Sequence, residues 1–532
     1  MAKVVAIDAG TTGVRALVVD EQARVVDVAY RELTQHFPQP GWVEHDPSEI
    51  WEAVRATLAE VGDRLAQAGP HDGRDHDNAV ASIGITNQRE TLVAFDRRTG
   101  RPLHRAIVWK DRRTAPLCAR LREDGYLPFV RATTGLVLDP YFSATKAAWL
   151  LEHGDLALAP DDPNLSFCTV DTWVLWNLTG GPAGGTYATD PSNASRTLLL
   201  DTASLAWSPE LCELFGVPAH TLPEVRPSAG RFGTAALGDL GDLGDLGALG
   251  PAASSVLDGV PVSAILGDQQ AALFGQACFE PGMVKVTYGT GSFALAHAGP
   301  TRPPPPDGLI VSVAWDLGEH ADPAHGPVAY ALEGSAFVSG AAIQWLRDGL
   351  GIISSAAEVG PLAESVPDSG GVTFVPALTG LGSPQWDPEA RGIITGLTRG
   401  AGRAQLARAC VEAMAFQVRD MTDAMAAASS FPPSALRADG GAAAMNLLLE
   451  LQAEQSRMPV SRPRALESTA LGAATLAGLV EGVWSSLDEL AALWAADTVF
   501  EPQLPVELAD ATYAVWGRAV EKSRGWAATE RA

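Results

Sequence analysis

The sequence predicts an α/β protein built from two similar halves, and three observations carry that prediction. Residues 3–8, 14–20 and 25–30 are short runs rich in Val and Ala, separated by Gly and polar residues. Such runs signal a β-hairpin and a third strand rather than a strand–helix–strand unit. The theme returns in the second half, where residues 283–295 read as strand, turn and strand, so Gly10-Thr11 and Gly289-Thr290 both close Val-rich strands. The length, 532 residues, allows two large domains, each able to bury its own core.

The remaining elements follow in order. Asp46 as N-cap, Pro47 at the first helical position and Glu49 at the third start a helix. Ile50, Val54, Leu58, Val61 and Leu65 continue it at helical spacing. A strand over 79–85 runs into Thr86-Asn87-Gln88-Arg89-Glu90, and a second strand covers 91–95, which places polar side chains at a sheet edge. Between residues 230 and 260 the composition shifts to Gly-Asp-Leu repeats, read as a solvated surface loop because their period of three fits neither collagen nor a calcium-binding repeat. Residues 260–267 read as a strand ending in Asp268-Gln269-Gln270. A third glycine turn, Asp439-Gly440-Gly441-Ala442, precedes a helix from Met445 onward, and 469–480 reads as a buried helix.

The chain carries 38 basic and 63 acidic residues, a net charge of −25. That balance excludes a nucleic-acid binder, which needs clustered Lys and Arg. Cys118, Cys168, Cys212, Cys278 and Cys410 are odd in number and lack a C-x-x-C pair, so they read as reduced core thiols. The N-terminus meets Asp8 too early for a signal peptide, and no run is long enough to span a membrane. A cytoplasmic protein without membrane insertion is expected. The cluster His71-Asp72-Gly73-Arg74-Asp75-His76-Asp77 fits no zinc spacing and reads as a loop.

Three glycine turns at strand ends suggest one shared nucleotide. Backbone N–H groups in tight turns hold phosphates, and adjacent Thr hydroxyls add donors without blocking approach. Alone, each turn is ordinary hairpin chemistry; it is the matched pair together with Asp439-Gly440-Gly441 that points further. No Gly-Lys dipeptide occurs, which excludes a P-loop, and no G-x-G-x-x-G follows a strand.

Asp8-Ala9-Gly10-Thr11-Thr12, Gly267-Asp268-Gln269-Gln270 and Asp439-Gly440-Gly441 resemble the FGGY carbohydrate kinases, and the pattern is similar to their glycerol-phosphorylating members. Supporting segments run in order along nearly the whole chain, among them 40–47, 84–91, 106–109, 134–143, 287–291, 331–334, 380–384, 396–400 and 469–474. The resemblance implies two actin-like (RNase H-like) ATPase domains, 1–257 and 258–532, with the active site in the cleft between them. It implies transfer of the γ-phosphoryl of ATP to glycerol, giving glycerol 3-phosphate, with Mg²⁺ as cofactor. Asp268 would be the general base, although alone it is an ordinary helix N-cap. Arg89, Glu90, Trp109, Tyr141, Asp268, Gln269 and Phe293 would hold the polyol. Without the motifs, Arg89-Glu90 is a surface ion pair and Trp109 a core residue. Thr11, Thr12, Gly13, Arg15, Thr290, Gly340, Gln344 and Gly441 would meet ATP, and Asp8 would hold Mg²⁺ through water. A homo-oligomer, dimer or tetramer, is also implied.

The sequence departs from the family pattern in several places. Ala9 stands where Gln is common, Gly13-Val14 replaces a Ser pair, Ala147 is smaller than usual, and Met445 stands where Asn is usual near the adenine. The acidic Gly-Asp-Leu segment replaces a basic loop that binds fructose bisphosphate, and 226–233 lacks the His that some members phosphorylate. Neither form of regulation is expected. The alternatives are a kinase for erythritol or a ketopentose, or an ATP-gated module on the same superfold.

Overall fold

The computed structural model describes residues 2–67, 79–237, 256–321, 326–465 and 467–527. The cluster at 71–77 and the Gly-Asp-Leu repeats lie outside the described residues. The N-terminal hairpin is present as expected: β1 (Lys3–Ala9), β2 (Gly13–Val19) and β3 (Val25–Glu32) form an antiparallel meander. The capped Asp46-Pro47 start opens α1 (Pro47–Gln67), whose Ile50, Val54, Leu58, Val61 and Leu65 are all buried. On its other side β1 runs parallel to β4 (Val80–Asn87), which runs parallel to the strand ending at Gly267. With β5 (Ala229–Thr234) and β6 (Pro261–Gly267), the first sheet has the order β5-β6-β4-β1-β2-β3.

The second half repeats this topology. Here β7 (Met283–Tyr288), β8 (Ser292–Gly299) and β10 (Val328–Ala336) form the meander, with β9 (Ile310–Asp316) added at its edge. Parallel to β7 run β11 (Ala435–Asp439) and β12 (Val460–Pro463), closed by antiparallel β13 (Ala496–Phe500). The order β10-β8-β7-β11-β12 therefore matches β3-β2-β1-β4-β6, and each half adds an antiparallel strand beyond its last parallel one.

The expected join near residue 257 falls just ahead of β6, which is an internal strand of the first sheet. The change of sheet comes later, after α2 (Asp268–Gly275). The reason lies in the composition: the low-complexity stretch belongs to the connection between β5 and β6, not to one between the halves.

Alternation along the strands of the two large sheets sorts most of their side chains into three of the five cores. One lies outside the first sheet under α1, and a second outside the second sheet. The third fills the space between the two, with Leu17, Leu266, Leu273, Phe274, Leu295 and Leu471 all buried. In its centre α2 crosses α3 (Ser468–Val480), the buried helix expected over 469–480. A Cβ on Gly275 would overlap the carbonyl of Ser468, and one on Gly472 that of Ala271, so glycine permits the close crossing. Residues whose side chains share this inward face are the ones available to a cleft.

Candidate active site between the two sheets

Asp8 lies on the inward face of β1, register-paired with Arg15 on β2 and Thr86 on β4. Gly267 closes β6 opposite Asn87, and Asp268 opens α2. Adjacent parallel strands thus end side by side and deliver Asp8, Arg89 and Asp268 to one place. Burial pushes the Asp8 carboxyl up to about 7; Arg15 opposes the shift, and Asp268 and Glu467 add to it. Burial also raises Asp268, against the pull of Arg89 and Lys285. A carboxylate base gains proton affinity from such a shift.

Arg89 and Glu90 are buried, 2% and 1% exposed, so they form no surface pair. Arg89 Nη1 and Nη2 donate to the two oxygens of Glu333 at 2.9 and 3.1 Å. Its Nη1 also reaches Gln270 Oε1 at 3.1 Å, and Nη2 reaches the Tyr141 hydroxyl at 3.4 Å. Arg196 Nε donates to Glu90 Oε1 at 2.6 Å and Nη2 to Glu333 Oε1 at 3.2 Å. Arg89, Glu333, Arg196 and Glu90 therefore close a buried ring of alternating charge, with Arg89 Nε 3.7 Å from Glu90 Oε1 and 3.2 Å from Asp268 Oδ1. Glu333 comes from β10 in the second half and the other three from the first. The two guanidinium groups hold its carboxyl down to about 2, overcoming the effect of burial. Arg89 Nε makes no hydrogen bond despite its burial, which leaves a donor beside Asp268 for a ligand oxygen.

The aromatic residues frame this ring. Trp109 meets Tyr141 edge-on at 5.5 Å, and its Nε1 donates to Thr11 Oγ1 at 2.9 Å, so it also ties the first glycine turn to the pocket. Lys146 Nζ donates to the carbonyls of Tyr141 and Phe142. Gln269 receives Lys285 Nζ at 2.6 Å, and the same ammonium donates to Thr287 Oγ1 at 3.0 Å. Thr287 in turn donates to Asp439 Oδ1 at 2.5 Å. Phe293 pairs with Thr287 and Ser335 across β7 and β10, on the inward face that also carries Lys285 and Glu333.

Thr290, Gly340, Gln344 and Gly441 line one cavity of about 720 Å³ with Tyr288, Ile343, Pro361, Met445 and Asn446. Gly340 packs so tightly on the Gly289 carbonyl that a Cβ would lie 2.5 Å from it. Gly440 has φ +88°, and its Cβ would sit 2.5 Å from the Tyr288 carbonyl, whereas nothing stands within 4 Å of one on Gly441. The first glycine requires its conformation; the second leaves room for a ligand. Met445 packs toward Gly360 and gives the cavity an apolar wall, while Asn446 Oδ1 is held by Arg462 Nη1 at 2.9 Å.

Thr11, Thr12 and Gly13 do not line that cavity; they form the first glycine turn, closed by Gly10 N–H on the Gly13 carbonyl at 3.0 Å. A side chain at Gly13 would overlap the Tyr30 ring, a packing reason for glycine there. Arg15 is drawn to Glu467 at 2.5 Å, an ion pair between the halves. Sequence reasoning assigned no role to Arg196, Glu333 or Lys285. Glu333 left a signal, an acid within the apolar run Val328–Ala336.

Comparison with known proteins identifies the family. The model for the N-terminal domain of the FGGY family of carbohydrate kinases matches residues 3–275, and that for the C-terminal domain matches 284–480. The chain belongs to the FGGY family of carbohydrate kinases, and its two domains are actin-like. Within the family it is similar to glycerol kinases. That of Symbiobacterium thermophilum is 48% identical over 99% of both chains, and that of Gloeobacter violaceus 49% identical over 98% of this chain and 97% of the relative. The crystal structure of Plasmodium falciparum glycerol kinase with ADP superposes with a TM-score of 0.89 at 31% identity, covering 98% of each chain. Xylulose kinase from Lactobacillus acidophilus, 19% identical with a TM-score of 0.82 over 100% of this chain and 99% of that one, shares the fold.

Proposed function

We propose that this enzyme transfers the γ-phosphoryl group of ATP to a terminal hydroxyl of glycerol, giving glycerol 3-phosphate and ADP. The observation that carries the reading is the convergence of Arg89, Glu90, Tyr141 and Asp268 in one polar site, in a chain that also builds a glycine-lined cavity. Glycerol presents hydroxyls on a short apolar skeleton. The Arg89 Nε donor, the Glu90 acceptor and the Tyr141 hydroxyl suit the former, and the Trp109 and Phe293 rings suit the latter.

Asp268 accepts the proton of the attacking hydroxyl as its oxygen bonds to the γ-phosphorus. The bond from phosphorus to the β,γ-bridging oxygen breaks, and ADP leaves with that electron pair. Gln269, held by Lys285, steadies the polyol beside the base. Thr11, Thr12, Gly13 and Arg15 approach the phosphates from one turn and Thr290 from the other; Arg15 would exchange Glu467 for a phosphate oxygen. Gly340, Gln344 and Gly441 bound the nucleoside side, where the Met445 wall replaces a polar contact. Asp8 suits Mg²⁺, since it is a half-buried carboxylate with a raised proton affinity and a second acid nearby. An ion that keeps most of its water needs few direct protein ligands. When bound, that ion neutralises the phosphate oxygens during transfer.

Five buried, unpaired cysteines and the absence, among the described residues, of a helix long and apolar enough to cross a membrane favour a cytoplasmic setting. The test is ADP release with Mg-ATP over glycerol, dihydroxyacetone, erythritol and xylulose, with a no-acceptor control. Highest kcat/KM on glycerol is expected. Preference for another acceptor would overturn the substrate, and equal release without acceptor would overturn the kinase reading.

A further inference from the structure

Arg196 has no role in the reading above, yet it is fully buried at its centre. It follows the short helix Pro191–Ala194, whose first N–H groups are capped by Asp190. Ser192 Oγ in that helix accepts the N–H of Gly267, the residue before Asp268, at 2.9 Å. The backbone that carries Arg196 is thereby fixed to the backbone that carries Asp268. The guanidinium lies 5.5 Å from the Tyr141 ring centre and 5.2 Å from that of Phe142. Nε and Nη2 are spent on Glu90 and Glu333, while Nη1 is buried without a hydrogen-bond partner.

We propose that Arg196 is a specificity-determining residue for the polyol. By binding one oxygen of Glu90 it fixes the carboxylate and turns the other oxygen toward a substrate hydroxyl, and Glu333 holds Arg196 in place from the opposite half. A planar fork is needed, because a lysine cannot serve both carboxylates at fixed angles. The inference rests on the glycerol reading above. A site built to bond a hydroxyl rejects an analogue that lacks it, because its own buried groups are then left unpaired.

The test uses Arg196→Lys and Glu333→Asp, both of which preserve the charge balance, with glycerol, 1,2-propanediol and 1,3-propanediol as acceptors. In each variant the preference for glycerol over at least one diol, as a ratio of kcat/KM, should fall by about 10-fold or more. The change should lie chiefly in KM for glycerol, with KM for ATP within about 2-fold. A ratio unchanged against both diols would overturn the inference, whether activity falls evenly or not at all. If one variant fails to fold the other decides, and failure of both would make the ring structural only and overturn the role in selection. Absence of glycerol-dependent ADP release in the unsubstituted protein would instead remove the glycerol reading, and this inference with it.

Discussion

The two ends of the cleft solve different recognition problems with different materials. At the proposed polyol end, Arg89, Arg196, Lys285, Glu90 and Glu333 are buried, and the half-buried Asp268 sits beside Arg89. At the proposed nucleotide end the lining is mostly glycine, alanine and apolar side chains with the neutral polar Thr290, Gln344 and Asn446, and of the lining residues only Glu364 is charged. A small polyol must be told from others by the directions of its hydroxyls, which demands fixed donors and acceptors. A nucleotide brings its own charge and a large body, and backbone turns with room around them suffice. One end is rigid by electrostatics and the other by conformation.

The largest effect should come from the charged end. Asp268→Asn should lower kcat by about 10²–10⁴ while the melting temperature stays near that of the unsubstituted protein; near-normal turnover would remove Asp268 as the base. The conformational end can be broken by a single methyl group. Gly440→Ala must adopt a left-handed φ and meet the Tyr288 carbonyl, so a loss of about 1–3 kcal/mol in stability is expected. Gly441→Ala, facing open space, should keep its melting temperature and raise KM for ATP. Equal destabilisation by the two would dissolve the distinction between a glycine needed by the fold and one needed by the ligand.

A smaller effect concerns His45, which supports the first glycine turn. Its Nδ1 is 3.2 Å from Gln88 Nε2, and Gln88 Nε2 donates to the Gly10 carbonyl at 3.1 Å. Burial, followed by the charges of Lys110 and His36, depresses the imidazole to about 4. A depressed histidine means that the unfolded chain binds more protons between the two values. Its contribution to stability is therefore present above about 6.5 and lost as pH falls toward about 4. His45→Gln should flatten the fall in melting temperature over that window, and an identical pH profile would contradict this. The smallest effect should be Met445→Asn. Because the apolar wall is only one part of a roomy cavity, KM for ATP should change by less than about 5-fold.

Much of this was legible in the chain because it is local. The hairpin, the Pro47 helix start and the strand running into Asp268 each follow from residues within a few positions of one another. The glycine turns were legible too, although the packing of Gly13 against Tyr30 depends on β3 and could not be read from the turn. What closes the polyol site was not legible. Arg196 and Glu333 lie 137 positions apart, and only register places them on either side of the cleft. Arg196 sits in the unremarkable run Ser195-Arg196-Thr197, and its partners appear only when two sheets face each other. The boundary near 257 misled for a related reason, since composition marks a loop and the sheet it interrupts continues beyond it.

The central claim is that the polyol end is built in advance by the buried ring, independently of the nucleotide. Calorimetric titration of the nucleotide-free, magnesium-free protein with glycerol tests it most directly. Saturable binding, weakened in Arg196→Lys, is predicted. Binding that appears only after ATP or ADP is added would contradict a preformed site and make its assembly a consequence of nucleotide binding.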